Sequence, residues 1–359
     1  MKTNNNETVR QERAPVEAGV IIKLGLDVHA LQITVVEQVD GLLPKPARQL
    51  TWARFGERIE ELVKTGAKIY SCYEAGPCGY GLHRKLTAAG VTNLVVVPQT
   101  WDELKRRVKT DGRDARELCN RLDRYVRGNT SAFAVVRVPT PEQEQARALS
   151  RQRGAVVKER QRCVVRGHGL MLVQGVQAPE GWWQPKDWLL FAPELPAWLR
   201  HNVEWWQIQA VRLDREVDRL TPQVEALSAG QTVPKGIGRL TAALLQTEVL
   251  DWHRFHNRRQ VASYTGLCPS ESSSGQKRRQ GAVNKCGNPR VRHQLVEAVW
   301  RLLQWQPDYP PLQKLRAATG SRARKRAAVA AARRLAIDLW RINTGQCTAA
   351  QLGLKLSPA

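Results

Sequence analysis

Apolar residues along this chain keep two different periods, and the change between them falls near residue 140. Before it the apolar runs are short. VIIKLGLDVH (20–29) and LQITVVEQ (31–38) read as two strands joined tightly at His29-Ala30, and QLTW (49–52), after the turn GLLPKPARQ, as a returning third. FGERIEELVKTG (55–66) places apolar residues at Phe55, Ile59, Leu62 and Val63, a helical spacing closed by Gly66 as C-cap. IYSCYEA (69–75) alternates as a strand, GPCGYGLHRKLTAAG (76–90) reads as a helix with a glycine stop, and NLVVVP (93–98) as a buried strand. Strand–helix–strand–helix order predicts an α/β sheet domain with parallel elements over residues 19–140.

After 140 the spacing becomes three and four. Ala146, Leu149, Arg153, Val156, Arg160, Cys163, Gly167 and Leu170 form one seam, interrupted by its two arginines. Val203, Trp206, Ala210, Leu213, Val217, Leu220, Val224 and Leu227 form a cleaner one. Two such seams predict a helical, coiled-coil region over 141–230, closed as a hairpin within the chain or between chains as a dimer. Pro222 is expected to kink or restart the second helix, with Thr221 as a cap. Between the seams, GWWQPKDWLLFAPELPAWL (181–199) reads as a compact connector whose tryptophans suit packing beneath the helices or stacking on nucleobases. Residues 231–359 are mainly helical in pattern and end in the Ala/Arg helix SRARKRAAVAAARRLAIDLWRI (321–342), basic on one face.

Charge narrows the class of partner. Among 359 residues, 56 lysines and arginines face 33 acids, a net charge of +23. Such an excess predicts a polyanion, because each neutralised phosphate releases counterions. Residues 1–18 are polar and lack an apolar h-region, so a disordered tail is expected and a signal peptide is not. No stretch has the length of a membrane span. The seven cysteines are scattered without C-x-x-C spacing, which argues against disulfide frameworks and zinc sites and for a reduced, cytoplasmic setting.

Four acids stand where an acid is otherwise wasteful. Asp27 and Glu74 end apolar strands, and Asp111 and Asp114 share one face at the head of a helix. Converging carboxylates repel one another unless cations lie between them, and Mg²⁺ (Mn²⁺ as the alternative) takes such oxygens for phosphodiester chemistry. Lys105, Arg106, Arg107, Lys109 and Arg113 around the third acid suit phosphate positioning. Downstream, Lys235-Gly236-Ile237-Gly238 would let backbone N–H groups approach a phosphate at a helix start. The run SESSSGQKRRQG sets Ser270, Ser272, Ser273 and Ser274 beside Gly275 and ahead of Lys277, Arg278, Arg279, Lys285, Arg290 and Arg292. A serine among arginines suits attack on phosphorus, and it equally suits a Ser/Gly loop that only contacts phosphate.

The ordered set GLDVH, YEAG, KTDGRDA, KGIG, SYTGLCPSESSSGQKRRQG and NKCGNPRVRHQLVEAVW resembles one family over nearly the whole chain. That family is the insertion-sequence transposases with a DEDD catalytic domain, the bridge-RNA-guided serine recombinases related to the pilin-gene invertase. The resemblance implies a RuvC-like, RNase H-type domain at 19–140 with Asp27, Glu74, Asp111 and Asp114 as its acidic tetrad. It implies a C-terminal transposase domain at 231–359 whose nucleophilic serine precedes a glycine, which points to Ser274, with Ser273 as the alternate in the run SSSG. It further implies a covalent phosphoserine intermediate on DNA, a site shared between subunits of a homo-oligomer (dimer or tetramer), and a structured guide RNA pairing with donor and target DNA. Where the family has Pro-Gly-Val/Ile-Gly, this chain carries Lys235. The competing readings are a junction-type nuclease in which the acids activate water, an invertase without an RNA guide, and a nucleic-acid-binding protein with structural acids.

Overall fold

The apolar run that delivers Asp27 forms β1 (Ile21–Val28), the middle strand of a five-stranded sheet. The computed structural model describes residues 19–98, 110–274 and 277–358, with Ser273, Lys277 and Arg278 described in backbone only. The chain divides into two compact units, Met1–Val138 and Pro139–Ala359, so the second holds both the helical middle and the C-terminal segment.

In the first unit β1 is followed by β2 (Gln32–Val39), β3 (Arg48–Thr51), α1 (Trp52–Lys64), β4 (Lys68–Glu74), α2 (Gly81–Ala88), β5 (Thr92–Val96) and α3 (Asp111–Val126). Strand order is β3-β2-β1-β4-β5. The sheet is mixed: β1, β2 and β3 form an antiparallel meander, while β4 runs parallel to both β1 and β5. Loop length decides this, since short connections only reverse a strand and α2 is the crossover that lets β5 run parallel to β4. Three helix boundaries differ from the periodicity. Thr51 accepts a bond from Arg54 N, which starts α1 at Trp52, and Thr65 is its C-cap with Gly66 following at φ +71°. Gly79 at φ +65° holds a turn that delays α2 until Gly81.

Strand alternation gives the sheet two distinct faces. Ile22, Leu24, Leu26, Ile69 and Tyr73 pack with Phe55, Ile59 and Leu62 of α1 and with Leu82 and Leu86 of α2. The alternate residues meet α3: Cys72 packs with Leu118 and Leu122, and buried Lys23 pairs with Asp123 at 2.6 Å. Gly25 is where strand and helix touch, because a Cβ there would lie 2.1 Å from the Ala115 carbonyl oxygen.

The second unit begins with α4 (Pro141–Val173), whose first turn is set by Pro141 and a capping box between Thr140 and Gln143. α5 (Pro185–Phe191) and α6 (Ala197–Ala226) follow. α4 and α6 pair in opposite directions: Arg153 donates to Thr221 at 2.8 Å, Arg160 pairs with Asp214, and Gly167 lies against Trp206. The two seam arginines are thus satisfied by partners on the facing helix. Pro222 neither breaks nor restarts α6, which runs through it, and Thr221 is not a cap but donates to the Val217 carbonyl at 2.7 Å. Four residues from the helix end, Pro222 forfeits a single backbone bond, and Val217, Leu220 and Val224 stay buried on either side.

Trp182 and Trp188 of the connector meet edge-on at 5.9 Å between ring centroids and pack with Met171, Phe191, Leu199 and Val203. Gly167 permits this, since a Cβ there would come within 2.3 Å of the Trp182 ring. Trp182→Ala is expected to lower the unfolding free energy of this unit by about 3–5 kcal/mol, read from denaturant melts of the full chain. By contrast Trp198 and Trp205 on α6 are each 55% exposed.

The rest of the second unit comprises β6 (Thr232–Pro234), α7 (Arg239–Val249), α8 (Arg258–Thr265), β7 (Pro269–Ser274), β8 (Lys277–Val283), α9 (Pro289–Trp305), α10 (Gln313–Ala317), α11 (Ser321–Asn343) and β9 (Leu356–Pro358). Leu245, Val249, Leu295, Leu302, Leu335 and Trp340 share one core among α7, α9 and α11. β6 pairs with β9, and β7 with β8, both antiparallel. Among the described residues, no helix is long and apolar enough to cross a membrane.

Candidate acidic centre and serine hairpin

Asp27 is the penultimate residue of β1, and His29 follows two positions on, so strand alternation turns both to one face. The His29 Nε2 atom lies 3.3 Å from Asp27 Oδ2 and 3.6 Å from Asp111 Oδ2. Ligand atoms of these three side chains all fall within 4.8 Å of one another. Asp111 opens α3, and both it and Asp114 lie in the first helical turn, where the helix dipole favours acids. Burial foremost raises the Asp27 pKa; His29 opposes this, and repulsion from Asp111 and Asp114 adds to it. Glu74 ends β4 one position past the ladder pair Leu26–Tyr73, on the neighbouring strand end.

Asp27 and Asp111 are therefore brought together, Asp114 flanks them, and Glu74 stands outside the three-residue group. Sequence reading missed His29 as a member. Its signal was available in the two-residue spacing from Asp27 at a strand end. The donor set fits a hard divalent cation: two carboxylates supply oxygens, partial exposure admits water, and an imidazole is more readily accepted by Mn²⁺ than by Mg²⁺. Arg113 is exposed on the first turn of α3. Lys105, Arg106, Arg107 and Lys109 lie outside the described residues.

The serine run is not an irregular loop but a β-hairpin. Its register sets Ser272 opposite Arg279, Ser273 opposite Arg278 and Ser274 opposite Lys277, with Gly275 and Gln276 between them outside the described residues. Ser274 and Arg279 are exposed. The sequence SYTGLCP supplies the end of α8, with Gly266 at φ +64° as its cap, and then the start of β7. NKCGNP packs against that turn. Asn284 N donates to Cys268 O at 2.9 Å and Lys285 N to Gly266 O at 3.2 Å.

The predicted cations divide by role. Lys285 is exposed at φ +57°. Arg292 is occupied by two carbonyls, those of Thr265 at 3.2 Å and Lys285 at 3.1 Å, and so clamps the turn. Arg290 stands 3.9 Å from the buried Glu248 carboxylate. In KGIG, Gly236 holds φ +99° with the Trp305 side chain 3.2 Å from where its Cβ would be, and the Lys235 ammonium lies 5.1 Å from that ring's centroid. The first glycine thus serves a turn packed against α9, while Gly238 is the exposed N-cap of α7.

Comparison with known proteins gives the class first: the relatives are transposases. A family model described as "Transposase IS116/IS110/IS902 family" matches residues 232–312, which span KGIG and the whole hairpin. A putative transposase of Sinorhizobium fredii, y4rJ, is 35% identical over 307 residues, 76% of each chain. A second from the same organism, y4qE, is 30% identical over 268 residues, covering 70% of this chain and 62% of the relative. The transposase for insertion sequence element IS1111A of Coxiella burnetii is 25% identical over 317 residues, 84% of this chain and 85% of its own. The chain belongs to the IS116/IS110/IS902 family of transposases.

Proposed function

We propose that this transposase cuts and rejoins DNA as a serine recombinase of its insertion sequence, using Ser274 as nucleophile and the acids around Asp27 as the phosphate-positioning centre. The observation that carries the serine half is the hairpin register, which faces Ser272–Ser274 with the cations Arg279, Arg278 and Lys277 across one ladder. In the proposed step Ser274 Oγ loses its proton and bonds to phosphorus. The bond from phosphorus to one deoxyribose oxygen breaks, and that oxygen takes up a proton. The reverse step rejoins strands without an external energy source, because the phosphoserine keeps a phosphodiester-type bond. Basic residues on the paired strand, the exposed Arg279 among them, would offset charge that builds on phosphorus-bound oxygens.

The first unit is read as RNase H-like. Its support is the antiparallel meander continued by parallel strands, with the acids at the carboxyl ends of β1 and β4, the end where open α/β sheets bind ligands. Asp27 and Asp111, with His29, Asp114 and Glu74 around them, would hold Mg²⁺ or Mn²⁺, which when bound neutralises phosphate charge. Net charge +23 supports nucleic acid as the partner. Donor and target DNA, a structured guide RNA, a dimer or tetramer and a coiled-coil role for the α4/α6 pair belong to the same reading.

The test is covalent trapping. Protein, divalent metal, labelled DNA carrying the element junction, and RNA transcribed from its flanks are incubated and resolved on a denaturing gel. The expected result is a protein-linked DNA band that Ser274→Ala removes and Ser273→Ala retains. Cleaved DNA with no linked band would instead assign cleavage to water and the acids, and the serine would be only a phosphate contact.

A further inference from the structure

Glu248, near the end of the apolar helix α7, is only 4% exposed, yet it carries a carboxylate. Arg151 of α4 takes both of its oxygens, Nε to Oε1 and Nη2 to Oε2, each at 2.8 Å. Asn288 Nδ2 donates to Oε2 at 2.8 Å and also reaches the Tyr264 hydroxyl at 3.1 Å. The Tyr264 hydroxyl in turn donates to the Glu248 backbone oxygen at 2.6 Å. Burial works to raise the Glu248 pKa, but the bonds from Arg151 and Asn288 and the charge of Arg290 hold it below the ordinary carboxylate value.

Both feet of the serine hairpin end on these partners. Tyr264 lies in the last turn of α8, five residues before β7 begins at Pro269, and its backbone oxygen accepts Asn288 N at 2.7 Å. Asn288 closes the turn after β8, and its Oδ1 accepts Arg290 N at 3.0 Å and Val291 N at 3.2 Å, capping α9. Gly287 fixes the distance, since a Cβ there would lie 2.5 Å from Gly266 N and from Tyr264 O. An ion pair that served stability alone could have ended on any neighbour. This one ends on Asn288, which closes the turn after β8 and whose amide also holds the Tyr264 hydroxyl ahead of β7.

We infer that Glu248 is a positioning residue: through Asn288 and Tyr264 it fixes the base of the β7–β8 hairpin and thereby the placement of Ser274. The inference rests on the reading of Ser274 as nucleophile, and its test separates the two. Glu248→Gln keeps the shape and removes the charge. Glu248→Gln with Asn288→Asp exchanges carboxylate and amide, and an Asp at 288 still caps α9. The rate of Ser274-linked adduct formation and the KM for DNA are measured, together with amide hydrogen exchange over 264–272 and 280–292. Expected for the single variant is a rate lower by about tenfold to a hundredfold with KM unchanged, and faster exchange at both hairpin feet. The double variant is expected to recover part of both, because the exchanged amide restores the bond between positions 248 and 288 while Arg151 Nη2 loses its acceptor. Unchanged rate and exchange in Glu248→Gln would overturn the inference, as would rate and KM falling together with no recovery in the double variant. If the wild type forms no linked adduct, the serine reading fails, and the exchange comparison alone decides whether Glu248 holds the hairpin.

Discussion

Asp27→Asn is expected to reduce metal-dependent strand cleavage by about 10³-fold or more and, at the same time, to raise the thermal midpoint of the metal-free protein. The two effects have one cause. Burial, with repulsion from Asp111 and Asp114, lifts the folded-state pKa of Asp27 above its ordinary 3.8, so the folded chain holds that proton more tightly than the unfolded chain. The stability linked to this group is therefore present below pH 3.8 and lost as pH rises through the folded value. At neutral pH the ionised acid works against folding, and asparagine removes that burden while keeping the shape. A divalent cation held at the proposed centre would reverse the sign by binding the folded state, so Mg²⁺ or Mn²⁺ should raise the wild-type midpoint and leave the variant nearly unmoved. Melts of both proteins with chelator and with metal check this. A variant that melts below the wild type in chelator would make Asp27 a structural acid and remove the centre from the mechanism.

What the sequence made legible follows from where the physics is local. Short apolar runs bounded by Gly, Pro and polar turns give β1, β2, β4 and β5 directly, and the amphipathic spacing of Phe55, Ile59 and Leu62 gives α1. Strand order was not legible, because the position of the edge strand β3 depends on a turn and a four-residue ladder whose residues are mostly exposed. Pro222 misled for a physical reason: a proline costs a helix little near its end when buried residues on both sides hold it against α4. The spacing of His29 from Asp27 was visible, but its membership in the group also depends on Asp111, far away in sequence. Glu248 was hidden more completely. Nothing in LTAALLQTEV marks it out, and only Arg151, Asn288 and Tyr264, from three other segments, show how it is buried and charged. The candidate acids were legible one by one from strand ends and a helix start, and their convergence was expected from them. Which of them meet most closely was not, since it depends on α3 packing against β1.

That crossing makes the strongest stability prediction in the first unit. Gly25→Ala is expected to lower its unfolding free energy by about 3 kcal/mol or more. The added Cβ would lie 2.1 Å from Ala115 O and 2.5 Å from Cys119 N, and both are helix backbone atoms that cannot swing aside. Either β1 or α3 must move. Gly25 is two residues before Asp27 on the same face of the strand, and Ala115 is one turn after Asp111, so the displacement separates the two carboxylates that face each other at the acidic centre. Loss of divalent binding, measured by calorimetry at a temperature where the variant is still folded, should therefore accompany the loss of stability. Gly56→Ala is the control, because that glycine lies inside α1 with nothing within 4 Å of its would-be Cβ. Alanine there should stabilise by about 0.5–1 kcal/mol and leave metal binding unchanged. If Gly25→Ala were tolerated within about 1 kcal/mol, the helix would not be pressed against the strand at this point. The geometry that brings Asp111 to Asp27 would fall with it, because that contact is what fixes the start of α3 over the end of β1.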